Sequence, residues 1–496
     1  MPISKSNLLF SLIKSLTRGE KRHFRSYAQR ESEGGSLKYL QLFDQLDKQN
    51  ELDEAVLTAY FDKRQLPNLK RHLYSQIMVS LKLQQSQTNV AIQQRELLDY
   101  ANILYSRGLY LQSLRIIGKA KVLANKINDE LTLLQLLEFE KIIESRHITR
   151  TGTDRVALLT EETDDLVRDI TNRLTLSNLR LQLHGGYIQY GHVTSQESAT
   201  EVRELFEHRL AAIDSTKMGL LEQAYYYQAK VWYHFILLEM DEVLSYAKRW
   251  LLLFKTDGKY IHRDINLLMR AYHYILTALY HLGDITEYDR YLAEFEAFRK
   301  EQYKKFNANS QIISFIYVHN GRLNRYVLAQ EYKAGLAVIP KTLARIKRYK
   351  AKLDSHRILV LYYKISLLYI MAGQPGESIS YLHSIISARI ENLRSDIQGY
   401  ARIAFLMAHF DLENYDVVQA HIRPIESFFV KKELESDVST LLLRFFKSVT
   451  KVPVQDQPTL LSELDSDLEQ LSSNMYSKRG LLYLNIREWV AQKVGS

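Results

Sequence analysis

The chain has 496 residues, of which only 19 are glycine and 7 are proline. That is about 5%, against roughly 12% in an average domain. This low share excludes turn-rich β-sandwiches and barrels, collagen-like chains and disorder rich in proline and glycine. Hydrophobic residues make up 46% and charged residues 25% of the chain, which is typical of a globular protein with a large core.

The chain contains no cysteine, which excludes disulfides, thiolate metal sites and a cysteine nucleophile. A chain without cysteine fits a reducing compartment, and we expect a cytoplasmic location. No segment approaches the ~18 consecutive apolar residues of a membrane helix, so no membrane partner is expected. Residues 1–16 lack the apolar core and cleavage site of a signal peptide and are predicted to form an amphipathic helix.

Residues 1–88 are predicted to form a helical N-terminal cap or small domain. Thr17 and Glu20 have the spacing of a helix capping box. Residues 51–61, a six-residue turn and a helix over 67–81 resemble a helix-turn-helix, with Asn68, Lys70 and Arg71 at the head of the second helix. The turn is longer than the usual three to four residues. This segment supports an alternative function, that of a nucleic-acid-associated regulator.

Residues 89–450 repeat one pattern, an aromatic and aliphatic helix, a short break and a second amphipathic helix. The breaks fall at Gly108, Gly191, Glu239, Gly283, Gln330, Gly373 and Glu413, with a degenerate break expected near Arg150. From Glu239 onward the steps are 44, 47, 43 and 40 residues, and such a period is typical of helix-pair solenoids. Two helical stripes are predicted to be buried: Tyr272, Ile275, Leu276 and Leu279, and Ile379, Leu382, Ile385, Ile386 and Ile390.

The segment YSRGLYLQSLRIIGKAKVLA, residues 105–124, resembles the centre of a tetratricopeptide repeat. In that family a small residue at the turn is followed two places later by an aromatic residue, as Gly108 is by Tyr110. The other breaks keep only one of the two features, and the period exceeds the family's 34 residues. The resemblance implies an all-α, right-handed helix-pair solenoid that binds another protein on its concave face, as a scaffold or adaptor.

Residues 451–496 are predicted to form an acidic linker and helix followed by a C-terminal capping helix. Pro453 and Pro458 lie in the linker, and five acids follow Lys451 before the next base. An array of helix pairs needs such a cap because its last pair otherwise exposes a hydrophobic flank.

The formal net charge of +9 is concentrated in residues 299–357, which hold fourteen bases and three acids. Lys341, Arg345, Arg348 and Lys352 are spaced to form a cationic ridge along one helix face. One interpretation is a solvated face paired with acids elsewhere, such as Asp164 and Asp165 or those at 463–469. The others are a site for an acidic protein segment and a site for a nucleic-acid backbone.

Tyrosine is unusually abundant, with 33 residues against 18 phenylalanines. Its ring provides a large contact area at low entropic cost and suits binding surfaces. Tyr226, Trp232 and Tyr363 are the candidate anchors for a partner, and the alternative is that these rings only pack in the core.

No pattern in the sequence indicates catalysis, a cofactor or a metal. The 15 histidines are scattered, and His273 and His281 are eight residues apart, too far for the usual helical chelate. Gly118 and Lys119 are followed by Ala120, so the hydroxyl of a phosphate-binding loop is missing. We therefore expect a non-enzymatic, protein-binding scaffold, with an acidic partner favoured by the basic segment 299–357.

Overall fold

The computed structural model describes residues 5–30, 38–147, 153–193, 195–211, 213, 218–256, 264–349, 352–388, 395–472, 478–481 and 483–494. All regular secondary structure in these ranges is helical, so the all-α class is confirmed. None of the helices in these ranges combines the length and apolarity needed to cross a membrane. The chain divides into two compact units, Met1–Ile170 and Thr171–Ser496.

The first unit contains two separate buried clusters. Its helices are α1 (Lys5–Ser15), α2 (Arg18–Arg30), α3 (Lys38–Lys48), α4 (Glu54–Tyr60), α5 (Leu66–Gln85), α6 (Val90–Ser106), α7 (Tyr110–Ile127), α8 (Glu130–Arg146) and the start of α9 (Thr153–Tyr190). One cluster runs from Leu9 to Ile77 and the other from Ala101 to Ile170. The predicted capping box is present: the Thr17 N–H donates to Glu20 Oε2 at 2.7 Å, and the Glu20 N–H donates to Thr17 Oγ1 at 3.2 Å.

The second unit contains the end of α9 and sixteen further helices. They are α10 (Gln196–Leu210), α11 (Leu220–Ile236), α12 (Met240–Thr256), α13 (Ile265–Leu282), α14 (Ile285–Gln302), α15 (Ala308–Leu328), α16 (Tyr332–Gly335), α17 (Ile339–Tyr349), α18 (Ser355–Met371), α19 (Pro375–Ile386), α20 (Ser395–Asp411), α21 (Tyr415–Lys431), α22 (Asp437–Val449), α23 (Gln457–Ser472), α24 (Lys478–Leu481) and α25 (Ile486–Val494). The cap and domain boundaries at 88 and 450 remain predictions.

The same turn joins the two helices of several successive pairs. The residue at the turn has a left-handed backbone at Gly108, Leu238, Gly283, Gln330, Gly373 and Glu413. At each of them the next N–H donates to the carbonyl oxygen five residues before it, at 2.9–3.2 Å. This bond closes a Schellman motif, which satisfies the last carbonyls of one helix before the next begins. Five of the predicted breaks take this turn, and the one predicted at Glu239 falls one residue earlier, at Leu238. Gly191 also has a left-handed backbone and follows the end of α9, where its N–H donates to the Tyr187 carbonyl oxygen at 2.8 Å. Arg150 lies outside the described residues.

Helices of the second unit pack in chain order. Helix α11 contacts α12, α13 contacts α14, α18 contacts α19 and α20 contacts α21. The first helices of successive pairs also meet, α13 with α15, α15 with α18 and α18 with α20. The stripe of Tyr272, Ile275, Leu276 and Leu279 is buried, as are Leu382 and Ile385, whereas Ile379 and Ile386 are partly buried and Ile390 lies outside the described residues. Each first helix therefore has one core face and a second face for other contacts.

The C-terminal segment, residues 478–494, lies against the turns of three pairs. Gln330 Nε2 donates to Glu488 Oε2 at 2.9 Å. Gln492 lines a small cavity with the turn at Gly373. Trp489, which is fully buried, donates its indole N–H to Asp411 at 3.1 Å. Helix α25 thus joins turns that are far apart in the sequence.

Gly335 is expected to tolerate no side chain. A Cβ atom there would lie 2.8 Å from Tyr326 Cβ and 3.1 Å from Leu368 Cδ1. Because this overpacking forces the backbone to move, Gly335→Ala is expected to lower the free energy of unfolding by about 1–3 kcal/mol. The helical Gly185 has open space around it, and Gly185→Ala is expected to raise that free energy by about 0.5–1 kcal/mol. Urea titration of both variants measures the two free energies of unfolding. Changes of the same sign and size in the two variants would contradict the prediction.

Candidate binding groove

A groove of about 1290 Å³ crosses the first helices of successive pairs in the second unit. We call it the α9–α18 groove. Helix α13 lines it with Arg270, His273, Tyr274 and Thr277, whose spacing puts them on one helix face. The other lining residues are Arg180, Leu181, His184, Tyr187, Ile188, Trp232, Phe235, Ile316, Tyr317, Asn320, Asp354, Ser355, His356, Arg357, Val360, Lys364, Ala388 and Lys432.

The groove is strongly cationic. Its lining includes five permanent cations, contributed by Arg180, Arg270, Arg357, Lys364 and Lys432. The one carboxylate in that lining belongs to Asp354, which caps α18 by accepting the Arg357 N–H at 2.9 Å and also accepts from Arg357 Nε at 3.1 Å. Within this lining, five cations therefore accompany one carboxylate.

Two arginines define the α9–α13 end of the groove. Arg180 donates to the amide oxygen of Gln228 at 2.9 Å and lies 5.1 Å from the Tyr225 ring centroid. Against the effect of burial, the nearby Tyr317 and Tyr274 raise the pKa of Arg270. Burial lowers the pKa of Arg180, and the charge of Arg270 lowers it further. The two guanidinium groups therefore repel each other in a partly desolvated site.

Three histidines close to these cations are held neutral. Burial lowers the pKa of His273 to about 3, with Lys364, Arg270 and Arg357 adding to the effect. Burial and Lys364 lower the pKa of His281 to about 4. Burial, then Arg270 and Arg180, lower the pKa of His184. Burial is the main cause of these depressed values, and the neighbouring cations add to it.

Trp232 forms part of the floor and is enclosed by other rings. Its centroid lies 4.8 Å from His184, 5.3 Å from Tyr187, 5.9 Å from Phe235 and 5.5 Å from Tyr274. Only 7% of Trp232 is exposed. A planar base therefore finds no open face of this ring on which to stack.

Asn320 contributes to the lining of the groove. Its residue is buried, and its side-chain oxygen, which is itself covered, has no hydrogen-bond partner among the described residues. A buried acceptor without a partner costs free energy. Nearby, Lys364 Nζ donates to the Asn324 side-chain oxygen at 2.7 Å.

The predicted ridge is only partly on one helix. Lys341, Arg345 and Arg348 belong to α17, which ends at Tyr349, and Lys352 lies in a turn beyond that end. Residues 350 and 351 lie outside the described residues, so the four-residue ridge remains a prediction. The Leu353 N–H donates to the Tyr349 carbonyl oxygen at 3.0 Å, and Asp354 caps the next helix.

Bases of the segment 299–357 form ion pairs with the preceding helix α14. Arg322 pairs with Glu296 at 2.6 Å and Arg325 with Asp289 at 3.1 Å. Several of the acids suggested from the sequence pair with other bases. Asp165 pairs with Arg168, Asp467 with Arg444, and both Asp465 and Glu469 with Arg487. Of the whole segment, Arg357 is the base that lines the groove.

The three candidate anchors lie in different places. Trp232 lines the groove. Tyr226 lies outside that lining, beside Tyr227 and Lys230. Tyr363 is buried and donates its hydroxyl to the Tyr483 carbonyl oxygen at 2.6 Å, so the anchor role predicted for it is wrong and its contact stabilises the C-terminal segment.

The helix-turn-helix candidate has a different geometry from the predicted one. Helices α4 and α5 are joined by five residues. Asn68 and Arg71 are exposed at the head of α5, whereas Lys70 pairs with Glu54 at 3.0 Å and is largely covered. The nucleic-acid function remains a prediction that rests on two exposed side chains.

Sequence reasoning missed Arg180, Arg270, Lys364 and Lys432. The available signal was in α13, where polar residues recur at 270, 273 and 277 within an otherwise apolar helix. Such a stripe marks a helix face that is not part of the core. Among the described residues no group of three or more histidine or acidic side chains could hold a metal ion. Comparisons with protein-family models, with curated proteins and with solved structures each gave no match.

Proposed function

We propose that this protein is a non-enzymatic scaffold that binds an acidic segment of a partner protein in the α9–α18 groove. The single observation that carries the proposal is the lining of five cations and one carboxylate. A helix-pair solenoid suits this role because stacked pairs present an extended surface to one partner.

Electrostatic complementarity supports an anionic ligand. Like charges in a partly desolvated groove destabilise the empty protein, and an anion between them removes that cost. A concave surface lined by one sign of charge also concentrates its field and speeds the approach of an oppositely charged partner. The pKa values of His184 and His273 are lowered mainly by burial, and the cations of the groove lower them further.

One feature favours a peptide over a nucleic acid. Single strands bind through bases stacked on open aromatic faces, but Trp232 is enclosed by four rings. An extended acidic segment needs no such open face.

Binding of a labelled acidic peptide tests the proposal. The probe is a fluorescein-labelled 12-residue peptide of alternating glutamate and leucine, measured by anisotropy at ~50 and ~150 mM salt. Arg270→Gln/Arg357→Gln is expected to weaken binding by roughly tenfold or more, because charge-assisted hydrogen bonds are lost. Lys341→Gln/Arg348→Gln removes the same charge from α17 and is expected to change affinity less than about twofold.

The proposal would be contradicted if Lys341→Gln/Arg348→Gln lost affinity and Arg270→Gln/Arg357→Gln did not. That result would identify the basic residues of α17 as the binding site. Tighter binding of a length-matched single-stranded RNA or DNA than of the peptide would also overturn it. Unfolding curves for both variants separate a loss of binding from a loss of fold.

The alternative, a nucleic-acid-associated regulator, is supported by the exposure of Asn68 and Arg71. In that case binding of duplex DNA at ~50 mM salt should fall steeply as salt rises. Lys70→Glu/Arg71→Glu should abolish it. The absence of DNA binding at low salt would end this hypothesis.

A further inference from the structure

We propose that the α9–α13 end of the groove, defined by Arg180, His184 and Arg270, binds a phosphoryl group on the acidic segment, as carried by phosphoserine or phosphothreonine. This inference rests on the proposed function and names the chemistry of one part of the ligand.

Neither arginine forms an ion pair with a carboxylate within the described residues. Arg180 donates to the amide oxygen of Gln228 at 2.9 Å, and Arg270 lies near the Tyr317 and Tyr274 hydroxyls. The carboxylate of Asp264 acts electrostatically on both arginines, and it caps α13 by accepting the N–H groups of Asn266 and Leu267.

The number of uncompensated charges distinguishes a phosphoryl group from a carboxylate. A carboxylate carries one negative charge, whereas a phosphoryl group carries about −1.5 to −2 at pH 7 and three acceptor oxygens. Arginine forks match those oxygens in pairs. Two guanidinium groups, one from α9 and one from α13, line the same groove and are therefore suited to a dianion.

The opposite end of the groove is less demanding. Arg357 is already paired with Asp354 at 3.1 Å, and Lys364 donates to Asn324 at 2.7 Å. A carboxylate is sufficient there. The two ends thus predict a segment with acidic residues at one end and a phosphorylated side chain at the other.

Protonation of His184 provides a second readout. The groups that face it are Arg180 on its own helix, Arg270 on α13 and the Trp232 ring on α11. A bound dianion opposes the effect of both arginines and raises the affinity of His184 for a proton. Binding should therefore transfer a proton to His184 as pH falls toward 6. The phosphoryl group, with a second pKa of about 6, exchanges protons of its own, so the readout is the smaller proton uptake expected of His184→Asn than of the wild type.

The experiment compares three peptides of identical acidic sequence that carry serine, phosphoserine or aspartate at the position facing Arg180 and Arg270. Isothermal titration with the full chain is expected to show phosphoserine binding roughly 10- to 100-fold tighter than serine, with aspartate between them. Arg180→Gln/Arg270→Gln should abolish this ratio. Arg357→Gln/Lys364→Gln should weaken all three peptides and leave the ratio unchanged.

Arg180→Lys/Arg270→Lys keeps the positive charges but loses the paired N–H donors of the guanidinium groups. This variant should retain only part of the preference for phosphoserine over serine. Each variant is characterised by the ratio of its affinities for the phosphoserine and serine peptides and by its unfolding curve. A misfolded variant is recognised because it also loses binding of the serine peptide. Equal affinity for phosphoserine and serine overturns this inference and leaves the proposed function standing. Failure of all three peptides to bind overturns both.

Discussion

Replacing Trp489 by alanine is expected to lower the free energy of unfolding of the second unit by about 3–5 kcal/mol, the range for a buried large aromatic. Trp489 is completely buried. Its ring lies 5.6 Å from Phe410 and 6.3 Å from Phe446, and its indole N–H donates to Asp411. Removal leaves a cavity between α20, α22 and α25 and takes away one of the donors to a buried carboxylate.

Two controls separate these contributions. Trp489→Phe keeps much of the volume but loses the indole donor, so its cost should be smaller and should mainly reflect Asp411, which Lys493 still contacts at 2.9 Å. The chain has three tryptophans, and Trp232 and Trp250 remain in the second unit as fluorescent reporters. An alanine variant as stable as the wild type in urea would show that α25 does not hold this unit together.

Mild acid is expected to destabilise the second unit before its carboxylates begin to titrate. His319 is buried, hydrogen-bonds Thr342 at 2.7 Å, and has a pKa lowered to about 3 by burial and then by Arg322, Arg299 and Arg345. Below pH ~6.5 this histidine binds a proton in the unfolded chain but stays neutral in the folded chain. Its contribution to stability is therefore fully present above that pH and is lost as the pH falls toward 3. At pH 5 one such histidine costs about 2 kcal/mol.

The same sign holds for His273 and His281, so the three together give an expected loss of about 6 kcal/mol between pH 7 and pH 5. Urea titrations followed by tryptophan fluorescence at pH 7, 6 and 5 measure it. His319→Asn removes one titrating group and should reduce the slope with pH by about a third. Unchanged wild-type stability from pH 7 to pH 5 would show that these rings accept protons without cost.

The turns between helices were predictable because their chemistry is local. A left-handed residue and a single hydrogen bond end each helix, and glycine at 108, 283 and 373 marks the position directly. Leu238 carries no such signal, which explains the error of one residue there. The helical class and the buried face of α13 followed from spacing alone for the same reason.

The groove was not predictable because it is assembled from distant segments. Arg180 and Arg270 are ninety residues apart in the sequence, and neither stands in a basic run. The charge count instead indicated residues 299–357, where Arg322 and Arg325 form ion pairs with α14. Local charge density therefore identified exposed surface, whereas the site depends on which helix faces meet.

The contact of α25 with distant turns has a consequence for folding cooperativity. In an array where each unit touches only its neighbours, unfolding can begin at an end and proceed unit by unit. Here Gln330 and Glu488 bond across 158 residues, and Tyr363 reaches the Tyr483 carbonyl across 120. Such long-range bonds couple the pairs from α15 to α22, so this stretch should melt in one step instead of fraying from its end.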